Sequence, residues 1–141
     1  MAETLHLQVV TPDKQLVRED VDQVQMPGRS GYLGILPGHA PLLTELMPGE
    51  ISYSQGGRTQ YLAVAWGFAE VLADKVTILA DAAERPEDID VKRAQEAKAR
   101  AEEALRQQNP ELDYEATLNA QRRAEVRLEV AGRAGRTVAA H

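Results

Sequence analysis

The sequence of 141 residues has no cysteine, few aromatic residues and no long apolar run. Without cysteine there can be no disulfide, thiolate metal site or cysteine nucleophile. Trp66, Phe68 and four tyrosines are the only aromatic residues, which excludes a large aromatic core. No apolar run approaches the roughly 20 residues that span a bilayer, and residues 1–6 lack the basic flank and apolar stretch of a signal peptide. We therefore expect a soluble protein that stays where it is made.

Basic charge is scarce in the first part of the chain. Residues 1–87 carry 6 basic and 12 acidic groups, whereas residues 88–141 carry 10 of each, so the net charge of −6 arises entirely before residue 88. Duplex nucleic acid attracts proteins with a net basic face. The charge pattern therefore argues against nucleic acid as a partner.

Two periodicities divide the chain. Up to about Glu84, apolar residues alternate with period two in short runs, with turn residues such as Pro48-Gly49 and Gly56-Gly57 between them. This spacing predicts antiparallel strands of a sandwich or barrel. The runs are Leu5, Leu7, Val9; Val24, Met26; Ile51, Tyr53; Tyr61 to Val64; Val71; and Val76, Ile78.

From Asp88 the period changes to about 3.6 in strong helix formers. One break at Asn109-Pro110 and an end near Gly132 predict a helical hairpin, with Asp88 as N-cap and Asn109 between the helices. The tail, residues 132–141, is expected to fray. The predicted fold is α+β, with a β-sandwich over residues 1–86 and a helical hairpin over residues 87–141.

The segment from Gly31 to Leu43 combines an apolar run with glycine and proline at short intervals. Glycine permits positive φ and proline fixes φ, so we expect one rigid, bent course. Its apolar side chains should be anchored in the core; they are Leu33, Ile35, Leu42 and Leu43. A docking edge and an ordinary sandwich bend both fit this pattern.

Small residues recur along the predicted helical seam, where Leu128 is the main large residue. A buried methyl group contributes only ~0.8 kcal/mol, against ~1.5–3 kcal/mol for a leucine side chain. A hairpin that opens without melting and a static appendage are both compatible with such weak packing. The small residues are Ala94, Ala97, Ala101, Ala104, Ala116, Ala120, Ala124 and Ala131.

Four arginines can meet when the hairpin folds, because Arg93 and Arg100 are seven apart and Arg123 and Arg127 are four apart. Two such charges ~7 Å apart repel by roughly 2 kcal/mol at an effective dielectric of about 20, and a polyvalent anion would reverse this penalty. A triphosphate fits such a site. Glu84 and Asp90 could accept hydrogen bonds from its ribose or base. Ordinary exposed ion pairs explain the same arginines.

Motifs for catalysis are absent from the sequence. The glycine-rich run lacks the ending of a phosphate-binding loop, and there is no zinc, nucleophile-elbow or calcium motif. His39, between Gly38 and Ala40, is interpreted as a loop-fixing hydrogen bonder rather than a general base. We expect neither an enzyme nor a metal site, and a free-standing enzyme is the least supported of the functional hypotheses.

Several segments, in this order, resemble the epsilon subunit of the bacterial F-type ATP synthase. The resemblance covers nearly the whole chain and implies a sandwich of about ten strands followed by two helices. The segments are residues 5–12, 31–43, 67–71, 74–80 and 89–94.

The resemblance implies a non-catalytic rotor subunit at the cytoplasmic side of the bacterial inner membrane. Its sandwich would join the gamma shaft to the c ring, and its extended helices would inhibit hydrolysis at the alpha and beta subunits. Contacts with the rotor would involve Tyr32, where a glutamate is common, and His39. Trp66 also departs from the family pattern. The predicted inhibitory arginines are Arg122, Arg123, Arg127, Arg133 and Arg136.

Ile89 to Ala94 resembles the Ile/Leu-Asp-x-x-Arg-Ala motif of the members that bind ATP. No cofactor is required by this interpretation, but ATP becomes a regulatory ligand that would stabilise the folded hairpin. An alternative is a chain that is chiefly an ATP sensor with little inhibitory role. The ATP-binding residues implied by the resemblance are Glu84, Ile89, Asp90, Arg93, Ala94, Arg100, Arg123 and Arg127.

Overall fold

The computed structural model describes residues 4–134 and 138–139, and in this part of the chain strands precede helices. A single 3-10 turn, Pro86–Asp88, connects the last long strand to the first helix. The strands are β1 Leu5–Val10, β2 Gln15–Val21, β3 Gln23–Gly28, β4 Gly31–Ile35, β5 Leu42–Leu46, β6 Gly49–Gln55, β7 Arg58–Val71, β8 Lys75–Glu84 and the short β9 Val138–Ala139; the helices are α1 Val91–Arg106 and α2 Tyr114–Ala131.

The predicted α+β architecture is confirmed, but the count of about ten sandwich strands is wrong. Eight strands lie within residues 5–84, because the runs at Tyr61–Val64 and Val71 belong to one strand, β7, of 14 residues. The pairing is not purely antiparallel either, since β1 pairs antiparallel with β2 and parallel with β8.

Strand β7 takes part in both layers of the sandwich. Its residues 67–71 pair with β5, and its residues 58–64 pair with β6. One layer therefore has the order β2-β1-β8-β7-β5, and the other contains β4, β3, β6 and the first half of β7. Strands that pass from one layer to the other need a bend or a bulge at the corner.

The corner of β7 lies at Trp66–Gly67, where φ is 60° and 137° respectively. Before the corner the core receives Leu62 and Val64, and after it the core receives Ala69 and Val71. The alternation of side chains thus shifts from even to odd positions. A Cβ on Gly67 would overlap the carbonyl oxygen of Leu79 on β8, so only glycine fits here. Trp66, which departs from the family pattern in sequence, is thus one of the two residues that form the bend.

The sandwich core is aliphatic, as the composition predicts, with Tyr53 as its largest side chain. In the predicted rigid segment Ile35 is buried, and Leu33 and Leu42 pack against the core. Leu43, also predicted in the core, is 71% exposed. Leu42 and Leu43 are consecutive in β5, and neighbouring residues of a strand point to opposite faces, so only one of them can face inward.

Both helices begin at residues other than those predicted, which were Asp88 for the first helix and Asn109 for the second. Asp90, not Asp88, caps α1 by accepting a hydrogen bond from the Arg93 backbone N (3.0 Å), because residues 86–88 form the 3-10 turn. Asp113 caps α2 through the Ala116 backbone N (3.0 Å). Asn109 instead lies in the connection, where its side chain accepts from Glu111 N. Gly132 follows the last residue of α2, as predicted.

Helix α2 docks the hairpin on the sandwich. Val126 and Val130 are buried in a second apolar cluster with Ala63 of β7 and Ile89. Leu128, predicted as the main large residue of the seam, is only partly buried. Burying two valines contributes ~3–6 kcal/mol at most, so the docked surface is small.

The tail predicted to fray is partly described. Residues 132–134 form a turn, and β9 pairs antiparallel with Arg58–Thr59 of β7. The remaining tail residues, 135–137 and 140–141, lie outside the described residues.

The bend of β7 generates a testable prediction. Gly67→Ala should lower the free energy of unfolding by at least about 2 kcal/mol, because the methyl group meets the β8 backbone and φ is positive. Urea unfolding checks this. The matched control is Gly34→Ala, since a Cβ there meets nothing within 4 Å. Equal losses in the two variants would contradict the assignment of Gly67 as the corner.

Candidate functional site

A cavity of about 770 Å³ lies between the helical hairpin and the sandwich. Its floor is formed by β7 and β8, with Ala63, Ala65 and Ala82, and its walls by α1 and α2. Most of the predicted seam alanines line it. Because their side chains end at Cβ, they leave room between the helices and the sheet. Ligand pockets of proteins commonly have volumes of about 300–1,000 Å³.

All four arginines predicted to converge do line this cavity: Arg93 and Arg100 from α1, and Arg123 and Arg127 from α2. Within residues 4–134, no carboxylate lies within 4.0 Å of the guanidinium nitrogens of Arg93, Arg100 or Arg123. The exposed ion pairs that could have explained these three arginines are therefore not formed among the described residues. Three uncompensated cations on one cavity favour an anion.

Arg127 differs from the other three because it is already paired. Its Nε and Nη2 donate to the two carboxylate oxygens of Glu84 at 2.7 and 3.1 Å. This bidentate bond joins α2 to β8 at the cavity wall, and both side chains are about two-thirds buried. Glu84, predicted as an acceptor for a nucleotide, is thus occupied by Arg127 in this structure.

The other predicted ATP ligands lie outside the cavity lining. Ile89 is buried in the cluster that docks α2, and Ala94 is fully buried. The Asp90 carboxylate caps α1. These three residues hold the start of α1, from which Arg93 and Arg100 reach the cavity. Their direct contact with a nucleotide stays a prediction.

The predicted inhibitory arginines do not form one surface in this structure. Arg122 lies 3.8 Å from Glu129 on the outside of α2, while Arg123 and Arg127 line the cavity. Arg133, beyond the end of α2, pairs with Glu50 of β6. Arg136 lies outside the described residues. The sequence did not indicate Glu50, because its position beside Arg133 depends on where α2 ends over the sheet.

The two predicted rotor contacts lie on the sandwich. Tyr32 is more than half exposed, and its hydroxyl accepts a hydrogen bond from the Glu50 backbone N (2.9 Å). A ring nitrogen of His39, Nδ1, lies 2.7 Å from the Ala40 carbonyl oxygen, which agrees with a loop-fixing role.

An outer apolar patch, formed by Leu43, Phe68 and Leu79, was not predicted. Each of these side chains is more than half exposed, and Phe68 lies directly opposite Leu79 across β7 and β8. The patch belongs to the layer that contains β5, whereas α2 packs on β6 and the first half of β7. Exposed apolar clusters of this kind mark sites of protein association.

The described residues offer little for other kinds of site. Among them, no three His, Asp or Glu side chains are grouped so as to hold a metal ion. None of the helices in this part of the chain is long and apolar enough to cross a membrane.

Comparison with known proteins identifies the family. The beta-sandwich domain of the ATP synthase delta/epsilon chain matches residues 4–86, and its long alpha-helix domain matches residues 87–132. The chain is 67% identical over 111 residues to the ATP synthase epsilon chain of Koribacter versatilis, covering 79% of this chain and 78% of that one. It is 48% identical over 140 residues to that of Geotalea daltonii, covering 96% and 99%.

Chains in two solved ATP synthase structures share the fold. A chain in the mitochondrial ATP synthase of Euglena gracilis, solved as the OSCP/F1/c-ring assembly, matches with a TM-score of 0.80 and 25% identity, covering 93% of this chain and 82% of that chain. A chain of the Tetrahymena thermophila central stalk and c ring shares the fold, with a TM-score of 0.58 and 14% identity. These matches cover both the sandwich and the hairpin. They establish that the chain belongs to the epsilon-subunit family of the F-type ATP synthase.

Proposed function

We propose that this epsilon subunit joins the gamma shaft to the c ring through its sandwich and inhibits ATP hydrolysis when its hairpin extends. ATP bound in the hairpin cavity would hold the hairpin down and so relieve inhibition. The observation that carries this proposal is the cavity itself, where Arg93, Arg100 and Arg123 have no carboxylate partner among the described residues.

The outer apolar patch supports the rotor role. Leu43, Phe68 and Leu79 lie on β5 and on the parts of β7 and β8 beyond the bend, away from Ala63 and Glu84, where α2 is docked. A partner bound there stays attached whether the hairpin is docked or extended. Attachment through the patch is consistent with a relative solved in a central stalk and c-ring assembly. Such attachment would place the chain at the membrane surface.

The small docking surface of α2 supports the regulatory role. The apolar contacts of α2 with the sheet are limited to two buried valines and a short cluster, beside the ion pairs of Arg127 and Arg133, and the sandwich core is complete without them. Each helix also has its own aspartate N-cap, which needs no residue of the sandwich. We expect the hairpin to separate from the sandwich with its helices retained.

Charge in the cavity connects ATP to this separation. Closing the hairpin, with α1 packed on α2 against the sandwich, brings the arginines of the two helices to one cavity, and their mutual repulsion opposes this closure until an anion neutralises them. A ligand that binds only the docked state stabilises it by RT ln(1 + [L]/Kd). The fraction of docked hairpin would then follow the ATP concentration.

Calorimetry of the isolated full chain tests the ATP site. We expect ATP to bind in or below the millimolar range and Arg93→Ala or Arg123→Ala to weaken binding at least about ten-fold, since a charge-assisted hydrogen bond contributes ~1.5–3 kcal/mol. Arg106→Ala is the matched control, because Arg106 ends α1 outside the cavity. There it donates to Glu103, and this hydrogen bond holds the pKa of the Glu103 carboxyl below its usual value. Absence of heat with the unmodified chain at millimolar ATP would rule out a physiological sensor.

Truncation tests the inhibitory role separately. A chain ending at residue 87 retains every residue of the sandwich core. Reconstituted into the complex, it should assemble normally and give faster ATP hydrolysis than the full chain, because the extended helices are missing. Steady-state hydrolysis at equal epsilon occupancy measures this. If ATP binds but hydrolysis is the same for both chains, the subunit is an ATP sensor with little inhibitory role.

A further inference from the structure

The first residues after α2 are bound to the sandwich through the side chain of Arg133. Its Nε donates to Oε2 of Glu50 on β6 at 3.2 Å. Its guanidinium carbon lies 4.6 Å from the centre of the Tyr61 ring on β7. One cation thus bridges two adjacent strands and ties them to the end of α2.

Glu50 and Tyr61, the partners of Arg133, lie on adjacent strands of the sandwich. Glu50 lies directly opposite Ala63 in the β6–β7 ladder, and its backbone N is hydrogen-bonded to the Tyr32 hydroxyl. Its side chain is only 21% exposed. Because Glu50 is fixed and largely shielded from water, its attraction for Arg133 is less screened than that of an ordinary surface pair.

The chain beyond Arg133 returns to the same strand. Val138–Ala139 pairs with Arg58–Thr59 of β7. This edge of β7 is open because β8 ends at Glu84, opposite Ala63. Backbone pairing at an otherwise free strand edge adds to the attachment of the tail.

These contacts are separate from the hairpin cavity. Arg133, Glu50 and Tyr61 line a small polar groove of about 310 Å³ on β3, β6 and β7. None of the three lines the cavity that contains Arg93, Arg100 and Arg123. Substitutions at the groove can therefore alter docking without removing a cavity residue.

We propose that Arg133, Glu50 and Tyr61 form a latch that holds the hairpin docked in the absence of nucleotide. The latch sets the fraction of chains whose cavity is assembled. If the proposed function holds, it also sets the ATP concentration at which inhibition is relieved. The latch also means that Arg133 cannot bind Glu50 and a partner protein at the same time. While Glu50 holds it, Arg133 is not available to a carboxylate of a partner protein.

Amide hydrogen exchange of the full chain without nucleotide tests the latch. Arg133→Gln should increase the opening constant of the α2 amides about five-fold, as expected for losing an ion pair and a cation–π contact that together contribute ~1 kcal/mol or slightly more. Arg133 lies outside the sandwich, so the β6 and β7 amides should be unchanged. Exchange of α2 at the unmodified rate would overturn the proposal.

A double-mutant cycle tests whether Arg133 and Glu50 act on α2 through their ion pair. Glu50→Gln should raise α2 exchange in the same way, and the double variant should show no further increase from loss of the ion pair. The matched control cycle uses Arg29 and Glu45, a pair at 2.8 Å that joins two parts of the sandwich and does not touch the hairpin. Additive effects at Arg133 and Glu50, or equal α2 effects in the control cycle, would contradict the latch.

Reversing the charges provides a positive test. Glu50→Arg and Arg133→Glu should each loosen α2, and combining them should restore much of its protection. These measurements need no nucleotide, so they stand even if ATP does not bind. If ATP does bind, latch variants should raise the apparent Kd in inverse proportion to the docked fraction of the chain. Unchanged exchange with intact ATP binding would reject the latch and leave the proposed function in place.

Discussion

The bend of β7 at Trp66–Gly67 governs what each surface of the sandwich presents. Positive φ at both residues shifts the alternation of side chains, so that Leu62 and Val64 face the core before the bend and Ala69 and Val71 after it. The outward positions consequently differ on the two sides of the bend. On one side Ala63 and Ala65 lie under the hairpin, and on the other Phe68 is exposed.

The hairpin shows how small side chains can serve two purposes. Ala94 is fully buried, while Ala97, Ala120 and the buried Ala124 line the cavity. Leucines at these positions would pack more strongly, but they would fill the space. Weak docking and an open cavity thus have the same origin in the sequence.

Local patterns predicted much of this structure. Alternation indicated β1, β3, β6 and β8, because it depends only on near neighbours in the chain. Helical spacing placed the arginines in two pairs, and the predicted hairpin brought the pairs together. The start of α1 was misplaced because Asp88 and Asp90 both suit an N-cap, and the start of α2 because the break at Asn109-Pro110 is followed by a longer connection. The contact of Arg133 with Glu50 and Tyr61 spans two strands and the end of α2, so no local pattern contains it. The outer apolar patch was missed because Leu43 was assigned to the core.

The bidentate bond between Arg127 and Glu84 has a consequence for ligand choice. An anion that attracts Arg127 leaves a partly buried carboxylate without its counter-charge, and such a group is costly unless a new donor replaces the guanidinium. Sulfate, which carries only acceptors at neutral pH, cannot supply this replacement. A molecule whose phosphates are attached to a sugar and an amino-bearing base can. The Arg127–Glu84 pair therefore favours a ligand that brings a donor for Glu84 over an anion that offers only acceptors.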